Sequence, residues 1–477
     1  MKALRQADAG SEPAVVFAYT VKGWGLPFAG DPLNHSALMS QEQIADLAVS
    51  LGIREDWYAR PEPDSSEGRI IDVAVKRLHR HPKTEDGEHS VPTDLETRAA
   101  AATSSQEAFG RALTDVARNH PALSERIVTA APDVSISTNL AGWINRVGSW
   151  RTRPRAQYGD PNPLLRWAES PDGQHMELGI SEMNLFGLLG QLGLSTTVFG
   201  PALAPIGTVY DTFISRGLDA LVYALYCGSS FVLVGTPSGV SLAPEGGAHQ
   251  STFTPGLGIT LPRLVSYEPC YAREVEWTLL EGIRRALNQE GSTYLRLSTV
   301  PVDQHRFPSD RPLLRESVIG GAYRIIDRRQ ETGYETENSV LLFACGVTVP
   351  GGCEASDLLL SEGVFASVIN VTSADQLFRR WQSSAKSTIE EAHHQPDPFA
   401  AWLAADEVGL LALIITDGHP HNLAFLGTAL DVRSVSLGVE GFGESGTVEQ
   451  LHRKHNLHPD SVVNAAIALV DRPKVTQ

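Results

Sequence analysis

From Thr103 to Val302 the chain alternates between two hydrophobic periods. "SQEAFGRALTDVARNH", "DALVYALYCG" and "EVEWTLLEGIRRAL" carry apolar residues at helical spacing and predict helices. "RIVTAAPD", "SFVLVGTPSG" and "STYLRLS" are short apolar runs closed by turn residues and predict strands. This alternation implies a mostly parallel sheet with helices on both faces, so its strands read as apolar throughout. The pattern resumes after "HRFPSDRPL", where "SVLLFACG", "FASVINVTS", "LLALIITDG" and "VRSVSLGVEG" predict the strands of a second α/β unit.

The first residues follow a different pattern. "AVVFAYTVKGWG" predicts a buried strand running into a glycine-rich turn. "MSQEQIADLAVSLGI" predicts a helix capped by Ser40, with Gln43 three residues on. One strand and one helix cannot enclose a core, so residues 1–58 read as the tail of a domain whose body lies elsewhere. Residues 59–96, rich in Pro, Asp, Glu and His, read as a connector with a short helix at "IIDVAVKRLHR". Its His79, His81 and His89 are irregularly spaced and read as solvated. Residues 97–305 and 306–477 are then the two α/β domains. No short internal repeat is visible.

Composition narrows the function. The 477 residues are 42% hydrophobic and 20% charged, as in an ordinary globular protein. A net charge of -17 argues against unspecific binding to nucleic acid or anionic membrane. Apolar stretches such as "GLLALII" are too short to span a bilayer, and "MKALRQADAGSEPA" lacks a signal-peptide core. Cys227, Cys270, Cys345 and Cys353 form no C-x-x-C pair and read as buried, reduced thiols. The expectation is a soluble, cytoplasmic protein.

Among the motifs, "GFGESG" (441–446) matches G-x-G-x-x-G in form, but too little chain follows it for the rest of a dinucleotide site, so it reads as a turn. "GHPHN", with His419 and His421, reads as polar loop. Three other places carry candidate chemistry. "MELGISEMNLFGLLGQLGLS" sets Glu182 at the mouth of an apolar run, where a carboxylate needs a partner. "APEGGAHQSTFTPGLG" sets His249 in a long loop after a buried strand, where α/β folds place ligands. "VKGWGLPFAGDPLNHSALMS" sets His35 in a similar loop.

Taken in order, these segments resemble the transketolase-type thiamine-diphosphate enzymes, and most of all the homodimer-type dehydrogenase component of the pyruvate dehydrogenase complex. "TVKGWG" with His35 thirteen residues after Lys22 resembles the end of that family's diphosphate-binding domain, and "RPEPDSSEGRIIDVAVKRLHRHP" its linker. "RIVTAAPDVSISTNLAGW", "ELGISEMN" and "GTPSGVSLAPEGGAHQS" are similar to its pyrimidine-binding domain. "VINVTSADQLFRRWQ" and "EGFGESGTVEQLHRKH" are similar to its C-terminal domain. The fold implied is a transketolase-like pyrimidine-binding domain plus a transketolase C-terminal-like α/β domain, preceded by a fragment of a diphosphate-binding domain.

The resemblance also implies roles. Glu182 falls on the glutamate that hydrogen-bonds the aminopyrimidine of thiamine diphosphate and activates it; an apolar pocket there would favour its neutral form. Gly187, Gly190 and Gly193 would let another backbone pack closely on the following helix. Phe213 falls where an aromatic ring stacks on the pyrimidine. His249 and His35 fall on active-site histidines that position substrate and move protons. Glu245 falls where the donor is held, and Asp133 on an acidic position at the site's edge. Thr299 and Ala102 fall where transketolases carry arginines for a sugar phosphate, with Arg296 close by, which disfavours a phosphorylated ketose donor.

One feature of the family is missing. Its diphosphate and Mg2+ are held by a G-D-G motif and a downstream asparagine, and this sequence contains no G-D-G. The expectation is therefore the C-terminal, β-like subunit of a split enzyme. A partner subunit would carry the diphosphate and Mg2+ ligands in an α2β2 assembly. The reaction expected is decarboxylation of a 2-oxo acid and transfer of the acyl unit to a lipoyl or acyl carrier protein. Two alternatives stand beside it: transfer of a two-carbon ketol unit from a ketose phosphate, and a catalytically silent scaffold subunit.

Overall fold

Among the described residues, eight short strands form one parallel sheet, largely buried from Ile127–Ala131 across to Leu264–Tyr267 and partly exposed at its Glu169–Ser170 end. Across the sheet they run Glu169–Ser170, Ser149–Trp150, His175–Glu177, Ile127–Ala131, Ala204–Val209, Val232–Gly235, Ser292–Arg296 and Leu264–Tyr267. The computed structural model describes residues 2–53, 57, 60–78, 89–153, 167–243, 245–309, 311–391, 399, 403, 407 and 409–471. These fall into two compact units, Met1–His81 and Pro82–Gln477.

The period-2 alternation of strand side chains builds a core on each face of this sheet. Val232 and Val234 join Phe109, Leu113, Trp143 and Leu279 on one face. Phe231 and Leu233 join Leu185, Phe186, Leu189 and Leu221 on the other. Helices Ser105–Asn119 and Ala272–Leu287 cover the first face, and Glu182–Leu192 and Leu218–Tyr226 the second. A two-residue antiparallel ribbon pairs Ala102–Thr103 with Val302–Asp303, so the two ends of this segment meet.

A second sheet follows, in the order Ala322–Ile326, Phe365–Val371, Ser339–Cys345, Leu411–Ile415 and Ser434–Leu437. Only its Ala322–Ile326 edge is antiparallel. Every strand predicted from the apolar runs of the larger unit is present. The doubly covered parallel sheet is present as well.

The smaller unit departs from expectation. No strand occurs among its described residues, and Val15, Phe17 and Tyr19 of the expected buried strand are exposed. A strand needs a neighbour for its backbone groups, and no other strand is at hand among the described residues of this unit. Gly68 is its single buried residue among those described. The helix Gln41–Leu51 does form as expected, with a full capping box: the Ser40 hydroxyl accepts from the Gln43 amide, and the Gln43 side chain accepts from the Ser40 amide. The helix expected at "IIDVAVKRLHR" spans Ser66–Leu78; His79 and His81 lie outside the described residues.

Candidate active site

Three loops leave the C-terminal ends of strands in the middle of the sheet, the usual place for ligands in an open α/β sheet. Glu182 follows His175–Glu177, Phe213 follows Ala204–Val209, and His249 follows Val232–Gly235.

Glu182 opens the helix Glu182–Leu192, where the positive end of the helix dipole favours a carboxylate. Leu185, Phe186 and Leu189 on the same helix are fully buried, which anchors the glutamate on a rigid element. The glycine pattern acts in part as expected. A Cβ on Gly190 would crowd Ala224, and one on Gly193 would press on the Ser230 backbone at 2.8 Å. Gly187 faces open space instead. Glu182 itself is 7% exposed. The apolar surroundings expected for it are not what its carboxylate meets: Arg216 Nη1 donates to Glu182 Oε1 at 2.6 Å.

Arg216 and Tyr210 were not among the residues singled out in the sequence, although their spacing carries a signal. Tyr210, Phe213 and Arg216 are three residues apart, and Asp211–Gly217 is a 3₁₀ helix with three residues per turn. The three side chains therefore stand in a row. Tyr210 stacks on Phe213 with centroids 5.9 Å apart and planes 15° apart. The Arg216 guanidinium carbon lies 3.6 Å from the Phe213 ring centroid. Gly217 keeps the segment against the helix, since a Cβ there would overlap Phe186.

His249 closes the other side. It lies in the 3₁₀ turn Gly247–His249, its ring 5.3 Å from Phe213 and 5.9 Å from Tyr210. Its Nδ1 is buried without a hydrogen-bond partner, an unmet polar atom of the kind a ligand satisfies. The "GFGESG" loop holds this turn in place. Gln250 Nε2 donates to the Glu444 carbonyl at 3.0 Å, and the Glu444 amide donates to Gln250 Oε1 at 2.9 Å. A Cβ at Gly443 would overlap the Gln250 side chain, so this glycine serves close packing between loops.

Beneath these loops lies a sealed ionic network. Asp211 accepts from Tyr294, Ser251, Thr254 and Arg296. Arg296 also reaches Glu268 at 2.6 Å and the Asp417 carbonyl at 2.8 Å. Burial alone would disfavour the guanidinium charge, but Glu268, Asp211 and Asp417 outweigh it and hold Arg296 charged. Burial pushes the Glu268 carboxyl up to about 7. Arg296, 2% exposed, is thus fully engaged by these partners. Thr299 and Ala102 are exposed and bring no cation.

Of the remaining candidates, Glu245 is exposed beside the His249 turn. Asp133 is exposed at φ 67°, and its amide donates to Glu177 Oε1 at 2.7 Å. Glu177 ends the strand leading to Glu182; burial raises its pKa, but bonds from His175, Ser135 and the Asp133 amide bring it below the usual range. His35 belongs to the smaller unit, where Lys22 Nζ stands 3.1 Å from its Nδ1. Cys227 is exposed, against expectation, because it follows the last turn of a surface helix; the other three cysteines are buried. Among the described residues no group of three His, Cys, Asp or Glu could hold a metal ion, and no helix is long and apolar enough to cross a membrane.

The chain is similar in sequence and fold to known proteins. Residues 91–307 match the family described as pyruvate dehydrogenase E1 component middle domain. The pyruvate dehydrogenase E1 component of Mycolicibacterium smegmatis is 25% identical over 96% of this chain and 52% of that protein. That of Escherichia coli K12 is 23% identical over 95% of this chain and 53% of its own length. The chain therefore spans about half the length of the curated relatives it matches. Among solved structures, a transketolase from Campylobacter jejuni superposes with a TM-score of 0.70 at 16% identity, over 98% of this chain and 65% of the other. A transketolase from Pichia stipitis gives 0.68 at 16% identity, over 98% and 64%. The likeness to transketolase-type thiamine-diphosphate enzymes, and among them to the pyruvate dehydrogenase E1 component, thus extends along nearly the whole chain, with residues 91–307 matching the E1 middle domain.

Proposed function

We propose that this chain carries the pyrimidine side of a thiamine-diphosphate site in an enzyme that decarboxylates a 2-oxo acid and passes the acyl unit to a lipoyl or acyl carrier protein. The observation that supports this most is the convergence of Glu182, Phe213 and His249 from three strand ends onto one edge of the sheet. A buried carboxylate, an aromatic face and an unpartnered imidazole nitrogen are the groups an aminopyrimidine and a reacting 2-oxo acid require.

When bound, the cofactor would supply the carbon nucleophile. This chain's residues would do the rest. Glu182 holds a proton at the pyrimidine nitrogen, from a carboxylate fixed on a helix start. Phe213 supports the ring by stacking. His249 gives or takes a proton at the substrate through Nδ1. Glu245 orients the donor at the exposed rim, with Asp133 at the edge. The diphosphate and Mg2+ would be held by a partner subunit with the missing G-D-G, in an α2β2 assembly. The locked state of Arg296, with no cation at Thr299 or Ala102, weighs against a sugar-phosphate donor.

The test is turnover of the chain co-purified with a polypeptide bearing the diphosphate domain, given thiamine diphosphate and Mg2+. Pyruvate or 2-oxobutyrate should be decarboxylated, and Glu182→Gln should lower the rate about a hundredfold or more with assembly intact. Cleavage of xylulose 5-phosphate alone would establish ketol transfer instead. Unchanged turnover in the Glu182 variant would point to a silent subunit.

A further inference from the structure

The two groups assigned above to the cofactor's pyrimidine already share an occupant. The Arg216 guanidinium donates to Glu182 Oε1 at 2.6 Å and lies 3.6 Å from the Phe213 ring centroid. It is planar and donates hydrogen bonds in its plane, as an aminopyrimidine does. One guanidinium and one pyrimidine ring cannot both lie between that carboxylate and that ring face.

We infer that Arg216 is a latch on the pyrimidine side of the site: its guanidinium takes the Glu182 and Phe213 contacts, and the aminopyrimidine enters only as the arginine swings out. This rests on the reading of Glu182 and Phe213 given above.

Three features favour a movable latch over a fixed strut. The Arg216 side chain is 50% exposed whereas that of Glu182 is 9% exposed, so the arginine can leave into water while the carboxylate stays. An ion pair with one exposed partner is weak, and so is a cation–π contact at the surface, so little is lost on opening. Arg216 stands at the end of the Tyr210–Phe213–Arg216 row, next to Gly217, and its release leaves the aromatic stack in place. The contrast with Arg296 is sharp, since that arginine is 2% exposed and held by two carboxylates and a carbonyl.

A latch closed nine-tenths of the time weakens the apparent affinity about tenfold, because only the open fraction binds. The experiment is calorimetric titration of the full chain with thiamine, which carries the aminopyrimidine without the diphosphate. Arg216→Met should bind thiamine about tenfold more tightly than the parent chain. Arg216→Lys, which keeps the charge without the planar fork, should fall between them and guards against a folding defect in the first variant. Glu182→Gln should lose binding. Equal or weaker binding by Arg216→Met, with binding still lost in Glu182→Gln, overturns the latch and leaves the site standing. Thiamine binding by none of the variants overturns both.

Discussion

Two arginine–carboxylate contacts in this protein look alike on paper and behave as opposites. Arg296 is sealed under the candidate-site loops, its charge balanced by Asp211 and Glu268 from separate strand ends. Arg216 sits at the loop surface with one carboxylate and one ring face, half in water. The first contact joins the Phe213 segment, the His249 loop and the Asp417 strand end into one body. The second can be exchanged for a ligand. Burial and the number of partners decide which arginine is scaffold and which is open to substitution, and residue type alone does not.

The largest effect that would sharpen this contrast is on stability. Arg296→Met leaves Asp211 and Glu268 buried without their cation and should cost about 3–5 kcal/mol, whereas truncating Arg216 should cost about 1 kcal/mol or less. Chemical denaturation of both variants measures the difference. Equal costs would break the comparison.

A smaller effect is expected where the two regions join. Gly443→Ala would drive a methyl group into Gln250 and displace the His249 turn, at about 1–3 kcal/mol by analogy with overpacked cores. Turnover should fall while the secondary structure, read by circular dichroism, persists. An active and unshifted variant would separate "GFGESG" from the site.

The smallest is a slope with pH. Burial raises Glu268 to about 7, further assisted by Asp417 and Asp211 against the pull of Arg296. Burial likewise raises Glu274 to about 7, in spite of hydrogen bonds from Tyr323, the Tyr271 and Cys270 amides and Asn370. Each has an ordinary value of 4.5, so between 4.5 and about 7 the folded chain keeps protons that the unfolded chain releases. Their contribution to stability is therefore full below 4.5 and is lost as pH rises through about 7. The melting temperature should fall across that window, and Glu268→Gln should make the fall shallower. A flat profile in the parent chain would contradict the sealed character of the network.

Much of the architecture was legible because buried parallel strands announce themselves as unbroken apolar runs. "SVLLFACG" and "FASVINVTS" became neighbouring parallel strands for that reason. Glu182 and His249 were legible as polar residues where apolar segments end. The strand expected at "AVVFAYTVKGWG" failed because pairing partners are set by distant chain, which a local pattern does not contain. Arg216 went unread because its partner lies 34 residues away, although the three-residue spacing from Tyr210 through Phe213 held the clue. The Arg296 network draws on residues 211, 251, 268 and 417, so only the folded sheet brings it together.

The most direct test of the central claim is a crystal structure of this chain, together with a polypeptide bearing the diphosphate domain, bound to thiamine diphosphate. The account predicts the aminopyrimidine ring hydrogen-bonded to Glu182 and stacked on Phe213, with the Arg216 guanidinium displaced from both. A ring lying away from residue 182 would contradict it.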